Sequence, residues 1–185
     1  MRTLAAILTS VALIAPAAAQ AAVPGPAVGA VPVTGAVATL SVGGSVTGGD
    51  TSFNLGVLID TATGFMLSNL SAPPKTVIGS FCNTRSTITI SATPTTAQAF
   101  TGTPPAGFTN ALDYTATASG WTPTPASYVT DAPSNPVATQ ARGTAYTGTI
   151  TVAVSNFSPV GGGALRLVAD PSYQGTVTVT LAVAS

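Results

Sequence analysis

The fold class is decided by the stretch Thr176-Val177-Thr178-Val179-Thr180-Leu181-Ala182-Val183, in which apolar residues alternate with polar or small ones. Successive side chains of a β-strand point to opposite faces of the sheet. A period of two therefore places Val177, Val179 and Leu181 on one face and the threonines on the other. The pattern predicts a strand near the C-terminus with one face toward a core and the other toward water.

The same alternation recurs in four further segments, at residues 37–42, 87–91, 112–118 and 149–154. Turn-forming residues separate these segments at fairly even spacing, including the glycine run at 161–163. No segment has a strong helical period. Short alternating strands separated by turns predict an all-β protein, an antiparallel β-sandwich of the Ig-like or pilin-like kind.

The first 21 residues have the parts of a secretory signal peptide. Arg2 supplies a positive charge, residues 4–15 form an apolar stretch, and small residues lead to a cleavage position before Ala22, with residues 17–19 as the second choice. The apolar stretch is about 12 residues long, whereas a membrane span needs about 20. We therefore expect an exported protein, in the periplasm, on the cell surface or outside the cell, whose mature chain has no transmembrane anchor.

The mature chain is expected to contain one domain. Residues 22–37 are rich in Pro, Gly and Val, which predicts a flexible N-terminal arm. Residues 38–185 then form a single β-sandwich domain, large enough to bury a core without disulfides. Two Thr/Pro-rich stretches, residues 93–107 and 122–136, are expected to be long loops at one end of the sandwich.

Cys82 has no possible partner within the chain, because it is the only cysteine. It follows an apolar run and is expected to be a small buried hydrophobe. An intermolecular disulfide or a reactive thiol is the alternative.

The composition excludes several function classes. The mature chain contains no His and no Glu, and catalysis near neutral pH usually uses a group with a pKa near 7. Its four basic residues are scattered, so they do not form the cluster that a nucleic acid needs. One thiol without His offers too few ligands for zinc. No catalytic residue, cofactor-binding residue, metal ligand or cofactor is therefore predicted, and the protein is not expected to be an enzyme.

The best catalytic motif is Leu58-Ile59-Asp60-Thr61-Ala62, which resembles the active-site loop of aspartic proteases. That chemistry needs two Asp carboxylates that share one proton. Asp113, Asp131 and Asp170 are not followed by the required residues, although a symmetric dimer could supply the second carboxylate, and Ala62 stands where that family uses Gly. We expect a polar turn in which Asp60 accepts bonds from backbone N–H groups. An Asp-dependent hydrolase is the remote alternative.

Aromatic residues in or beside the Thr/Pro-rich stretches suggest another alternative, since exposed rings can stack on sugars. These residues are Phe100, Phe108, Tyr114, Trp121 and Tyr128. Trp121 closes an alternating strand, a position where Trp is more often a core anchor. An adhesin or carbohydrate-binding module with a glycan or cell-surface partner is therefore the alternative function.

The segment Tyr173-Gln174-Gly175-Thr176-Val177-Thr178-Val179-Thr180-Leu181 resembles the closing strand of secreted bacterial fimbrial subunits and of spore coat protein U-like proteins. In those families a Tyr and a Gly precede an alternating Thr/Val run. The chain differs from them in having a single Cys and no Tyr next to its C-terminus. The resemblance implies a non-enzymatic structural or surface protein, a fimbria-, coat- or matrix-like subunit.

Self-association through strand edges is also expected. The segments 149–154 and 176–183 contain no charged residue, and charges usually protect sheet edges. Four basic against five acidic residues leave the mature chain a net charge of −1, so repulsion between copies is weak. The arm at residues 22–37 is the expected contact, and a monomer with a disordered arm is the alternative.

Overall fold

The computed structural model describes residues 38–43 and 52–184, and the predicted signal peptide and arm lie outside them. The described residues form β-strands and no helix. The strands are β1 (Ala38–Gly43), β2 (Ser52–Asn54), β3 (Lys75–Cys82), β4 (Ser86–Ala92), β5 (Thr95–Ala97), β6 (Phe108–Thr109), β7 (Ala111–Ser119), β8 (Ala126–Val129), β9 (Thr139–Arg142), β10 (Tyr146–Pro159), β11 (Arg166–Leu167) and β12 (Tyr173–Val183).

Ten of these strands join in one sheet that folds into two layers. The order is β2-β1-β12-β4-β9 in one layer and β8-β7-β10-β3 in the other. Strand β5 pairs with both β12 and β7 and so joins the layers, while β4 packs on β7 and β8 without pairing. Every pairing in this sheet is antiparallel except β1 with β2. The predicted all-β antiparallel sandwich is confirmed.

The alternating segments became strands because their apolar face is buried. In β12 the side chains of Val177, Val179 and Leu181 are buried, and the residues between them are exposed or half-buried. They meet β4, in which Ile88 and Ile90 are fully buried. The segments predicted at 87–91, 112–118, 149–154 and 176–183 are confirmed as parts of β4, β7, β10 and β12. Of the segment predicted at 37–42, residues 38–42 lie in β1.

The two Thr/Pro-rich stretches are not simply long loops, and in this respect the prediction is wrong. They contain β5 and β8. Thr95 of β5 is fully buried, and its Oγ1 donates a hydrogen bond of 3.4 Å to the carbonyl oxygen of Leu112. Beyond β8, the amide of Asn135 bonds to both the N–H and the carbonyl of Val129. Pairing of β5 with β12 and β7, and of β8 with β7, therefore orders residues whose local composition favours loops.

The uncharged strands are interior strands, which corrects the expectation that they form open edges. β10 lies between β7 and β3, and β12 lies between β1 and β4, although the two neighbours overlap only at residues 151–152 of β10 and at residues 177–179 of β12. Each of these strands has a hydrogen-bonded neighbour on either side in the strand order, so neither ends a layer and the absence of charge does not mark an end strand. In the described part of the chain, β3 ends the second layer instead.

Trp121 anchors the core at one end of the sandwich, as its position predicted. It is fully buried, and its Nε1 donates a hydrogen bond of 3.1 Å to Ser86 Oγ. Its ring meets Tyr146 edge-on, with centroids 5.2 Å apart. The guanidinium of Arg142 lies 3.6 Å from the Tyr146 centroid and donates from Nη1 to the Trp121 carbonyl. Trp121 therefore cannot serve as an exposed platform for a sugar.

Gly175 allows β12 to pass close to the connection between β4 and β5. A Cβ atom at this position would lie 2.9 Å from the carbonyl oxygen of Thr93 and 3.0 Å from that of Pro94. The close approach is held by two bonds, from Thr93 N–H to the Thr176 carbonyl at 2.9 Å and from Thr176 N–H to Thr93 Oγ1 at 3.0 Å. Only glycine fits without displacing backbone.

We predict that Gly175→Ala lowers the free energy of unfolding by about 1–3 kcal/mol, the usual cost of forcing an extra methyl group into a packed site. Urea unfolding of the variant and the parent protein measures this difference. Gly143→Ala is the matched control, because a Cβ there meets no atom within 4 Å. Equal free energies for all three proteins would contradict the prediction.

Candidate functional site

The carboxylates of Asp60, Asp113 and Asp170 each accept hydrogen bonds that hold the fold in place. Asp60 Oδ1 accepts a bond of 2.8 Å from the N–H of Ala62. The Asp60 carbonyl accepts from the N–H of Gly64 at 2.7 Å, and its N–H donates to the Phe65 carbonyl at 2.8 Å. The predicted polar turn around Asp60 is confirmed.

Asp113 fixes the end of β8 against β7. Its side chain is buried, and Oδ1 accepts a hydrogen bond of 2.8 Å from Thr130 Oγ1. The same hydroxyl oxygen accepts a bond of 2.9 Å from the N–H of Tyr114. Burial raises the pKa of Tyr114, which keeps its hydroxyl protonated. The bonds from Thr130 to Asp113 and from Tyr114 to Thr130 satisfy polar atoms that the fold buries on this strand.

Asp170 organises the turn before β12. Its Oδ2 accepts bonds of 2.8 Å and 2.6 Å from the N–H groups of Ala99 and Phe100, and its Oδ1 accepts one of 2.8 Å from Ser172. Desolvation of the carboxylate raises its pKa, but the backbone donors outweigh that effect and hold the pKa below the ordinary 3.8. Asp170 therefore stays ionised at neutral pH.

An apolar cleft of about 380 Å³ lies beside this turn, and we call it the Tyr173 cleft. It is lined by residues 56–59, residues 167–171 and Tyr173. Burial, with a contribution from the Asp170 carboxylate, raises the pKa of Tyr173 to about 12. The Tyr173 hydroxyl donates a bond of 2.8 Å to the carbonyl of Val168. Sequence reasoning missed this cleft because its two main segments are distant in the chain and resemble core residues.

The second notable surface is the edge of β3, formed by residues 76–81. Its Ile78 side chain is 78% exposed and its Phe81 side chain is 37% exposed. Gly79 has a φ of 72°, and the register with β10 shifts between Gly148 and Ile150, which marks a bulge. The chain carries no charge between Lys75 and Arg85. Sequence reasoning missed the edge because the run around Ile78 resembles a buried strand.

Most of the aromatic residues singled out from the sequence are not exposed platforms. Tyr114 is buried, Phe100 and Tyr128 are half-buried, and Phe108 is 38% exposed. A further ring, Phe65, is 36% exposed and has the guanidinium of Arg166 4.5 Å from its centroid. Strand β11 places Arg166 opposite Phe108. Two exposed rings and one guanidinium therefore share one end of the molecule.

Cys82 lies at the end of β3 with its side chain buried, 3% exposed, as expected for a small hydrophobe. Its Sγ lies 3.9 Å from the carbonyl oxygen of Arg85. The described residues contain no cluster of three or more metal-ligating side chains. Among the same residues, no helix is long and apolar enough to cross a membrane.

A comparison of the chain with protein-family models, curated proteins and solved structures finds no match. The resemblance of the closing strand to fimbrial subunits and spore coat protein U-like proteins therefore stays a prediction.

We predict that Asp170→Asn reduces the acid sensitivity of the protein. Because the folded pKa of Asp170 is depressed, the ionised carboxylate stabilises the fold above its ordinary pKa, and this stabilisation is lost as pH falls through the folded value. The variant should be less stable than the parent at pH 7 and lose less stability on acidification. Thermal unfolding from about pH 7 to about pH 2 measures both. Asp131→Asn, at an exposed site, controls for the loss of one charge, and parallel pH profiles would contradict the prediction.

We also predict that Cys82 reacts with a thiol reagent only after unfolding. Labelling of the native protein should be slower than that of the urea-unfolded protein by roughly a thousandfold or more, the inverse of a typical unfolded fraction. The absorbance of the chromophore that the reagent releases on reaction measures both labelling rates. Rapid native labelling would overturn the assignment of Cys82 as a buried core residue and favour the alternative of an exposed, reactive thiol.

Proposed function

We propose that this chain is an exported, non-enzymatic structural protein, a surface, matrix, coat- or fimbria-like subunit that associates with copies of itself. The proposal includes a signal peptide at residues 1–21 and a location in the periplasm, on the cell surface or outside the cell. Its closing strand and its composition are similar to those of fimbrial subunits.

The observation that carries the proposal is the edge of β3. An end strand presents unpaired N–H and C=O groups, to which the strand of another copy can add. Most natural edge strands carry Lys or other charged residues. Residues 76–81 of β3 instead carry the exposed side chains of Ile78 and Phe81. Covering these side chains removes apolar surface from water at about 25 cal/mol per Å².

The bulge at Gly79 restricts which pairing is possible. A bulge leaves one residue out of the ladder and increases the local twist, so a second strand cannot pair evenly along all of β3. We therefore expect the contact to combine a short ladder with packing of the exposed Ile78 side chain. Such a contact is specific in register, because a slip of one residue would move the apolar side chains of the added strand to the sheet face opposite Ile78.

The carboxylates support a structural role. Each of Asp60, Asp113 and Asp170 accepts bonds from backbone or hydroxyl donors that order a turn or a strand end. A general acid or base needs a group free to exchange a proton with substrate. An Asp-dependent hydrolase is therefore not proposed.

A glycan or cell-surface partner is the second candidate, and one specific arrangement favours it. The guanidinium of Arg166 over the exposed ring of Phe65 offers an apolar face beside hydrogen-bond donors. Stacking on aromatic faces is a common mode of sugar recognition. A glycan array probed with the parent protein and with Phe65→Ala tests this role.

We predict that the mature protein associates with increasing concentration and that Ile78→Lys weakens this association by about tenfold or more, since a cost of 1.4 kcal/mol already gives that factor. A charge on an edge strand would be buried without a partner in the contact. Sedimentation velocity over a range of concentrations measures the effect.

The matched control is Val137→Lys, because Val137 is 48% exposed and lies on the connection between β8 and β9. It should associate like the parent protein. A parent protein that stays monomeric at all concentrations would refute the proposed assembly, and equal weakening by both changes would show that the edge of β3 is not the contact.

A further inference from the structure

We propose that the Tyr173 cleft is a binding site for a small, neutral, apolar molecule such as a single aromatic ring with a short aliphatic substituent. This inference is independent of the proposed assembly. Ile78 lies opposite the first half of β10, whereas the cleft segment 167–171 follows the far end of that strand. About ten residues of β10, or roughly 30 Å at 3.3 Å per strand residue, lie between the position opposite Ile78 and the far end of that strand.

The floor of the cleft is formed by apolar side chains that the fold already buries. Leu58, Leu167 and Val168 are between 6% and 8% exposed, and the ring of Tyr173 is 4% exposed. At the rim, Val57 is 66% exposed although it is apolar. An apolar molecule seated on this floor would also cover Val57, which would remove further apolar surface from water.

The polar side chains of the cleft are already satisfied by the protein. Both oxygens of Asp170 accept backbone hydrogen bonds, and the Tyr173 hydroxyl donates to Val168. They therefore offer little to a sugar or a polar ligand, which would lose its own hydrogen bonds to water on entry. The ionised carboxylate of Asp170 also disfavours an anion.

The walls are held in place before any ligand arrives. The carbonyl of Leu58 accepts from Leu67 N–H at 2.9 Å, and the N–H of Val168 donates to the Thr109 carbonyl at 2.9 Å. The N–H of Gly56 donates a hydrogen bond to Asn54 Oδ1, which holds the backbone that leads to Val57 at the rim. A preformed cleft requires little ordering on binding, so less of the free energy of apolar burial is lost to ordering the protein.

The size of the cleft limits the ligand. An apolar cavity of about 150 Å³ accommodates benzene. A half-open cleft of about 380 Å³ therefore accepts one ring with a substituent and is at the small end of ligand sites. A protein partner could enter it only with single side chains.

Titration of the ¹⁵N-labelled mature protein with toluene, followed by amide NMR, tests the proposal. We expect saturable shifts confined to residues 56–59 and 167–173. Benzoate has a ring of the same size but carries a negative charge. Its affinity should be lower than that of toluene by about tenfold or more, because its charge would lose solvation beside Asp170.

Two variants test the location. Val57→Asp places a charge at the exposed rim, and Ala169→Trp fills the cleft from an exposed position. Each should weaken toluene binding by about tenfold or more, a loss of at least 1.4 kcal/mol. Val137→Asp, an equivalent change at an exposed valine outside the cleft lining, should leave binding unchanged.

Three results would overturn the inference. They are an absence of saturable shifts up to the solubility of toluene, equal binding by the parent and both cleft variants, and shifts of the cleft signals with protein concentration alone. The last result would identify a second copy of the chain as the occupant. None of these results bears on the edge of β3, which sedimentation of Ile78→Lys tests separately.

Discussion

The fold depends on the burial of one face of β12 against β4 and the opposite layer. In the antiparallel register, Val179 lies opposite Ile90 and Leu181 lies opposite Ile88, and all four side chains are at most 5% exposed. Shifting β12 by one residue would turn its threonines into the core, so this register is strongly selected. Because β1 adds to the other edge of β12, the same register also positions the first described strand. The pairing of β12 thus sets the order of one whole layer.

The connection between the layers follows from the same strand. At its N-terminal end β12 pairs with β5 instead of β4, and β5 also pairs with β7 of the other layer. Gly175 permits this exchange because it lets the carbonyls of Thr93 and Pro94 approach the strand. The buried Thr95 then joins the layers through its bond to Leu112. The Tyr173 cleft lies beside this junction, where β12 begins and the turn at Asp170 leaves the sheet.

Local patterns predicted the features that depend on local chemistry. Alternation located β4, β7, β10 and β12, the position of Trp121 after a strand predicted a core anchor, and Asp60 among Thr and Gly predicted a turn. They did not show which strands are interior, because strand order depends on pairing between distant segments. The edge position of β3 and the strands β5 and β8 were missed for that reason. The Tyr173 cleft combines segments about a hundred residues apart, and its apolar residues have the same pattern as core residues.

The small number of charges gives the two apolar surfaces their significance. Only 5% of the residues are charged, and the carboxylates of Asp60, Asp113 and Asp170 are engaged in bonds that order the fold. Charge therefore does little to keep other molecules away from Ile78, and at the cleft beside Val57 the carboxylate of Asp170 opposes only anions. Covering an exposed apolar side chain in such a surface with a molecule of complementary shape lowers the free energy. A strand edge is best covered by another strand, whereas a narrow cleft is best covered by a small molecule, and this difference in shape assigns the two surfaces to different occupants.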